Sequence, residues 1–411
     1  MHSRHIPTSR QTLLLGAGPD GGRPREVPST FRRVEPAPAY LDSASSEPLH
    51  PAARSAFEAA LGTVYADARR LHGPARNARL VLDNARAVVA ECVGVRPDEV
   101  TFTPSGTHAV HLGLLGLLAG RRRGEGRAIV HSAVEHSAVL HAAAWSQAPT
   151  ASVPVDATGR IDPRAVAEAA LGVDGGAGVL AVQTANHEVG TVQPVADVAG
   201  AVPAAPLFTD ACASLGRFPL PAGWSAAAGS AHKWGGPAGV GVLLVRKGAR
   251  WRNPFPGDDR VDERTIGFEN VPAALAAAAA LQAVAAEAEE TNRRQHALVA
   301  RVRAAAGALP DTEVVGAPEE RLPHLVTFSC LYLDGEALVT ELDRHGFGVA
   351  SGSACTASTL EPSHVLAAMG ALTHGNVRVS LTREPTAEQV DAFCRLLPEV
   401  VGRLRREGGT P

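Results

Sequence analysis

The chain has 411 residues, 45% of them hydrophobic and 20% charged, which is a globular composition with material for one large core or two domains. A formal charge of -3 gives no basis for nucleic acid or an anionic membrane as a partner. The cysteines (Cys92, Cys212, Cys330, Cys355, Cys394) are few and scattered, with no CxxC pair; they support neither a disulfide framework nor a zinc site, and a cytoplasmic setting is expected.

Residues 1–38 are rich in Pro, Gly, Ser and Arg without a sustained apolar period, and are predicted to be a flexible tail. An Arg-rich targeting peptide is the competing reading; Leu13-Leu14-Leu15 is too short for a secretory core. From Val100 onward, strand candidates (Val100–Thr103, Ala128–His131, Ala151–Val155, Val179–Gln183, Leu207–Asp210, Val240–Val245) alternate with helix candidates (His108–Leu118, Ser137–Trp145, Pro163–Ala170, Val195–Val202). This alternation predicts an α/β fold with a largely parallel sheet, and catalytic groups at strand carboxyl ends. After Pro272 a long Ala-rich helix runs towards Ala308. Val271–Ala286 is apolar but shorter than a bilayer span, so no membrane partner is expected. Strands at Leu325–Leu331 and Val377–Leu381 and helices at Ala337–His345 and Ala387–Arg406 follow. The predicted organisation is a tail (1–38), a large domain (39–270) and a smaller C-terminal α/β domain (271–411).

Only two lysines, Lys233 and Lys247, stand among 39 Lys and Arg residues. Lys233 lies in Ser230-Ala231-His232-Lys233-Trp234-Gly235-Gly236, at the end of a small apolar run. Arginine cannot form an imine; lysine can, so this amine suits pyridoxal 5'-phosphate (PLP) chemistry, although a surface lysine beside a turn fits the segment equally well. Ser105-Gly106-Thr107 marks a strand-to-helix junction able to hold a phosphate or merely to cap the helix. Asp210 ends an apolar strand, where a carboxylate can meet a pyridinium nitrogen or cap a helix. His136 can stack on a flat ring and exchange protons. The five-residue spacing of His131, His136 and His141 is wrong for a metal site on one helical face. Cys355 sits in a Gly/Ser/Ala segment, Ala350 to Ser358, suited to a mobile thiolate; the other cysteines lie in apolar or helical surroundings and read as packing residues. Arg378, in a buried-looking strand, can clamp a carboxylate or form a structural ion pair.

Taken together, these residues resemble the NifS/IscS-type cysteine desulfurases of the class V aminotransferase branch of PLP enzymes. The specific matches are Tyr40-Leu41-Asp42-Ser43-Ala44, Glu135-His136-Ser137-Ala138-Val139-Leu140, Asn186-His187-Glu188-Val189-Gly190, Ser230-Ala231-His232-Lys233, and Ser351-Gly352-Ser353-Ala354-Cys355-Thr356 followed by Leu360-Glu361-Pro362-Ser363. The resemblance implies a PLP-dependent transferase of fold type I, with a seven-stranded sheet in the large domain, and a homodimer. It implies Lys233 as the Schiff-base lysine, Asp210 as pyridinium partner, and His136 stacked on the ring. Gly106, Thr107, Ser230 and His232 would hold the phosphate. Cys355 would be the persulfide-forming nucleophile, and Arg378 the clamp for the carboxylate of L-cysteine, which is converted to L-alanine while sulfur passes to a protein acceptor. His136 would take up the thiol proton.

Three positions depart from the family pattern. His187 stands where asparagine is usual and Ala213 where glutamine is usual, both near the cofactor's ring oxygen; His187 is expected to supply the missing donor and to lie near the substrate. Phe268 replaces a threonine that reaches the phosphate across the dimer. A cysteine or selenocysteine lyase, another PLP enzyme of this fold, and a non-catalytic sulfur-relay or partner-binding protein are the alternatives.

Overall fold

The computed structural model describes residues 39–257, 263–265, 267–351 and 362–408. The predicted tail, and the Cys355 segment from Gly352 to Glu361, lie outside the described residues.

A seven-stranded sheet carries the first part of the chain. Its strands are β2 (Val100–Thr103), β3 (Ala128–Ser132), β4 (Thr150–Val153), β5 (Ala177–Ala181), β6 (Leu207–Asp210), β7 (Ala226–Ser230) and β8 (Gly241–Val245). The order is β2-β8-β7-β6-β5-β3-β4, with β8 alone antiparallel to its neighbours. The other six therefore point their carboxyl ends to one edge, where loops are free to carry chemistry. Helices α3 (Gly106–Ala119), α4 (Ser137–Ser146), α5 (Pro163–Gly172) and α6 (Val195–Ala201) make the crossovers. The strands and crossover helices expected from the sequence are present, with ends moved by at most two residues.

Among the elements with no counterpart in the strand and helix candidates, three belong to the large sheet and the helices packed against its core. Helices α1 (Pro51–Leu61) and α2 (Gly73–Val93) start at rings that act as caps: His50 Nδ1 accepts from the Ala52 amide and His72 Nδ1 from that of Ala75. The third is β7, which packs centrally between β6 and β8.

A three-stranded antiparallel sheet, β12 (Asn376–Ser380), β10 (Leu325–Cys330) and β9 (Thr312–Val315), forms the second layer system. It is covered by α8 (Gly335–Arg344) and α10 (Ala387–Glu407), while α9 (His364–Met369) packs beside Val134 and Val189. The long helix α7 (Val271–Gly307) serves both sheets. Val271 to Leu281 lie in the core with α1, α2, β2 and β8; Leu298, Val299 and Val302 lie in the core with β10, β12 and α10. By length and composition α7 could cross a membrane, yet its apolar residues are spent on these two cores.

The N-terminal segment is also shared. β1 (Ala39–Tyr40) pairs in parallel with β11 (Phe347–Gly348), and Ala44 N donates to Ser380 Oγ. A few residues later Glu47 N donates to His232 O and His50 N to Gly235 O, each at 2.8 Å. One stretch of twelve residues thus touches both β12 and the turn that carries Lys233.

Candidate active site

Each side chain at the sheet's carboxyl edge is set by its own neighbours in sequence. After β6, Asp210 Oδ1 accepts from Cys212 N at 2.9 Å. After β3, His136 caps α4, its Nδ1 accepting from Ala138 N at 3.1 Å. That bond occupies the Nδ1 lone pair, so the neutral ring carries its proton on Nε2. After β7, Ala231–Lys233 form one 3-10 turn, in which Ser230 Oγ meets His232 Nδ1 at 3.1 Å. The turn is anchored from behind by Trp234, buried, whose indole N–H donates to Ala277 O of α7.

The start of α3 is pressed into the same corner. Ser105 caps it by accepting from His108 N, which leaves the Gly106 and Thr107 amides without intrahelical acceptors. A Cβ on Gly106 would lie 2.6 Å from Ser230 Cβ, and one on Gly241 would lie 2.2 Å from Ser105 O. Only glycine at both positions lets the helix start touch Ser230 and the sheet.

These groups line one cavity of about 300 Å³. Gly106, Thr107, His136, His187, Asp210, Ser230, His232, Lys233 and Arg378 all border it, so every expected site residue among the described residues is brought together; Cys355 lies outside them. Ala350 pairs with Arg378 in both directions, and Ser363 Oγ donates to Glu188 Oε2 at 2.9 Å.

Burial sets the protonation states. It lowers His136 below an ordinary histidine, partly offset by Asp210, and holds His187 well below, with His136, Lys233 and Arg378 adding positive charge. The two rings meet edge to face with centroids 4.8 Å apart. His187 Nδ1 is buried and unpartnered. Burial also raises Glu135, behind Asp210, well above the usual carboxylate range.

Arg378 is held differently. It stands on β12, 4% exposed, and its Nη2 donates to Asp42 Oδ1 at 2.9 Å and to Ser45 Oγ at 2.6 Å, while Nη1 donates to His187 O at 3.1 Å. Its Nε is buried without a partner.

A family profile described as Aminotransferase class-V matches residues 39–393. The chain belongs to the class-V aminotransferase family. Among curated relatives, an IscS-like cysteine desulfurase of Mycobacterium tuberculosis is 36% identical over 386 residues, covering 90% of this chain and 97% of the relative. A cysteine desulfurase IscS of Methanosarcina thermophila is 30% identical over 377 residues, covering 89% and 92%. Among solved structures, a NifS-like protein matches with a TM-score of 0.80 at 27% identity, covering 89% of this chain and all of that one. The architecture is accordingly that of the fold type I PLP-dependent transferases.

Class-V aminotransferase enzymes work with PLP, and this cavity fits the group on its own chemistry. It offers an amine, a carboxylate fixed at a strand end, a neutral imidazole, and a helix start whose first two amides lack intrahelical acceptors, laid against a serine hydroxyl. Two residues here were not singled out from the sequence. Asp42 and Ser45 fasten Arg378; the signal was present, since a buried guanidinium demands an acid and Asp42 stands within a matched motif. Cys212, read as a packing residue, in fact borders the cavity, because the turn after Asp210 points it inward. Burial, and then Asp210, push its thiol well above the ordinary range, which makes it a poor nucleophile. Phe268 is exposed, with the Arg69 guanidinium 5.9 Å from its ring centroid.

Proposed function

We propose that this chain is a PLP-dependent cysteine desulfurase: L-cysteine gives up its sulfur to Cys355 as a persulfide and leaves as L-alanine. The observation that carries this reading is the meeting of Lys233, Asp210, His136 and Arg378 around one cavity, in a chain whose curated relatives are named cysteine desulfurases.

PLP, when bound, supplies an electron sink in conjugation with the substrate's α-carbon. Lys233 would hold it covalently, Asp210 would keep its ring nitrogen protonated, and His136 would stack on its ring. Gly106 and Thr107 at the start of α3, with Ser230 and His232, would hold the phosphate, as a helix N-terminus favours an anion. His187, buried and with Nδ1 free, would face the ring oxygen that asparagine and glutamine serve elsewhere in the family. Arg378 binds the carboxylate of L-cysteine and so fixes the α-carbon near Lys233, whose Nζ takes and returns the α-proton. The Cys355 thiolate attacks the substrate sulfur; the C–S bond breaks, its electron pair stays with carbon, and a proton completes alanine. His136 presents Nε2–H, a donor, in its neutral form. Uptake of the thiol proton there requires Nδ1 to give up the Ala138 bond, so a donor role fits this geometry better than the acceptor role expected from the family.

The same reading extends to a homodimer, a protein acceptor for the sulfur and a cytoplasmic setting. These rest on the family and on the absence of a disulfide among the described cysteines. The test is incubation of the yellow, cofactor-loaded chain with L-cysteine and a reductant, with alanine and sulfide measured. Equal amounts of both are expected, and Cys355→Ala should abolish them; full activity in that variant would exclude the persulfide route.

A further inference from the structure

The grip on Arg378 has a consequence for substrate binding. A guanidinium offers a carboxylate two bidentate edges, Nε with Nη2 and Nη1 with Nη2. Nη2 belongs to both. In this chain Nη2 already donates to two acceptors, Asp42 Oδ1 at 2.9 Å and Ser45 Oγ at 2.6 Å. The Ser45 hydroxyl itself donates to Asp42 Oδ1 at 2.9 Å, so the three groups close a triangle. Nη1 is tied to His187 O, and Nε lies buried with its hydrogen unmatched. Any carboxylate that takes two parallel bonds from Arg378 must use Nη2 and so competes there with Asp42 and Ser45.

Asp42 adds charge to this competition. It is the only carboxylate paired with Arg378 among the described residues, and its own side chain is 21% exposed, so water does not fully mask it from an incoming anion. Its backbone holds it in place: Ser45 N and Ser46 N both donate to Asp42 O, and the Tyr40 hydroxyl donates to the same oxygen.

Resting on Arg378 as the carboxylate clamp of the proposed desulfurase, we propose that Asp42 is an internal competitor for that clamp, a positioning residue that sets how tightly the substrate carboxylate is held. The pair keeps a buried guanidinium neutralised and oriented between turnovers, and weakens the hold on carboxylate ligands, product as well as substrate.

The experiment compares the full-length chain with D42N, in which the side chain keeps its acceptor and loses its charge. Binding of 3-mercaptopropionate, which has the thiol and carboxylate of the substrate but no amine, is followed by calorimetry, with cysteamine as the ligand lacking the carboxylate. D42N should bind 3-mercaptopropionate roughly tenfold more tightly and cysteamine unchanged, and the KM for L-cysteine should fall without a rise in kcat. Ser45→Ala removes one of the two acceptors at Nη2 with no change of charge and should tighten the same ligand by roughly threefold, which keeps the test alive if D42N does not fold. Unchanged or weaker carboxylate binding in these variants, or no binding of 3-mercaptopropionate by the parent chain, overturns the proposal. Failure of the parent chain to make alanine from L-cysteine would instead sink the desulfurase reading, because the calorimetric comparison does not depend on turnover.

Discussion

Two parts of the cavity are built on opposite plans. At the carboxyl edge of the large sheet, each polar group is held by a partner two or three residues away: Asp210 by Cys212, His136 by Ala138, Ser230 by His232, Ser105 by His108. On the wall formed by β12, Arg378 is held by Asp42, Ser45 and the carbonyl of His187, which lie 336, 333 and 191 residues away. The first plan separates chemistry from stability, since a local turn survives the loss of its side chain. The second makes one guanidinium serve both.

The strongest test of this contrast sets Lys233 against Arg378. Lys233→Ala should lower alanine formation by roughly 10⁴-fold or more and remove the yellow colour, while chemical denaturation moves by less than about 0.5 kcal/mol. Arg378→Met should raise KM and also cost about 3 kcal/mol, because Asp42 is left facing a half-buried site without its cation. Equal stability of the two variants would erase the distinction.

Acidity sharpens it further. Outside the fold a histidine takes up its proton near pH 6.5, whereas His187 and His324 are kept neutral to well below that by burial and by nearby cations. The unfolded chain therefore binds more protons, so stability is complete above that value and is lost as pH falls towards 5, by up to about 1.4 kcal/mol per pH unit for each ring. Glu135 and Glu188, raised by burial, act in the opposite sense above the ordinary carboxylate range, because there the folded chain keeps protons that the unfolded chain has shed. Denaturation of His187→Asn beside the parent chain isolates one ring. The loss between pH 6.5 and 5 should flatten in the variant, and identical slopes would show that His187 titrates normally. The smallest effect belongs to the local plan: Ser105→Ala removes the cap of α3 and should cost about 1 kcal/mol, with weaker cofactor retention seen on dialysis.

This division also explains what could be read from residues alone. Lys233, Asp210, His136 and Thr107 stand in short segments whose own turns present them, so motif and geometry coincide. Arg378 was recognisable as an oddity in a buried strand, but its partners lie at the far end of the chain. The two missed helices fail for another reason. The buried face of α2 is Ala75, Ala78, Leu82, Ala85 and Val89, a regular spacing whose alanines give little hydrophobic contrast against their neighbours. In β7, Ala226-Ala227-Ala228-Gly229-Ser230 lacks any branched or aromatic residue, because a side chain on Gly229 would run into Leu215 and Trp234. Tertiary crowding chose the small residues and so erased the strand signal.

The shared N-terminal segment has a temporal side. Residues 39–50 leave the ribosome ahead of the rest of the fold, yet their partners at His232, Gly235, Ser380 and Leu381 are made much later. Until nearly the last strand is synthesised, Asp42 has no guanidinium to meet and the lysine turn lacks its outer brace. A nascent chain halted before β12 lacks Arg378, so the proposed substrate clamp is assembled only after nearly all of the chain has been made.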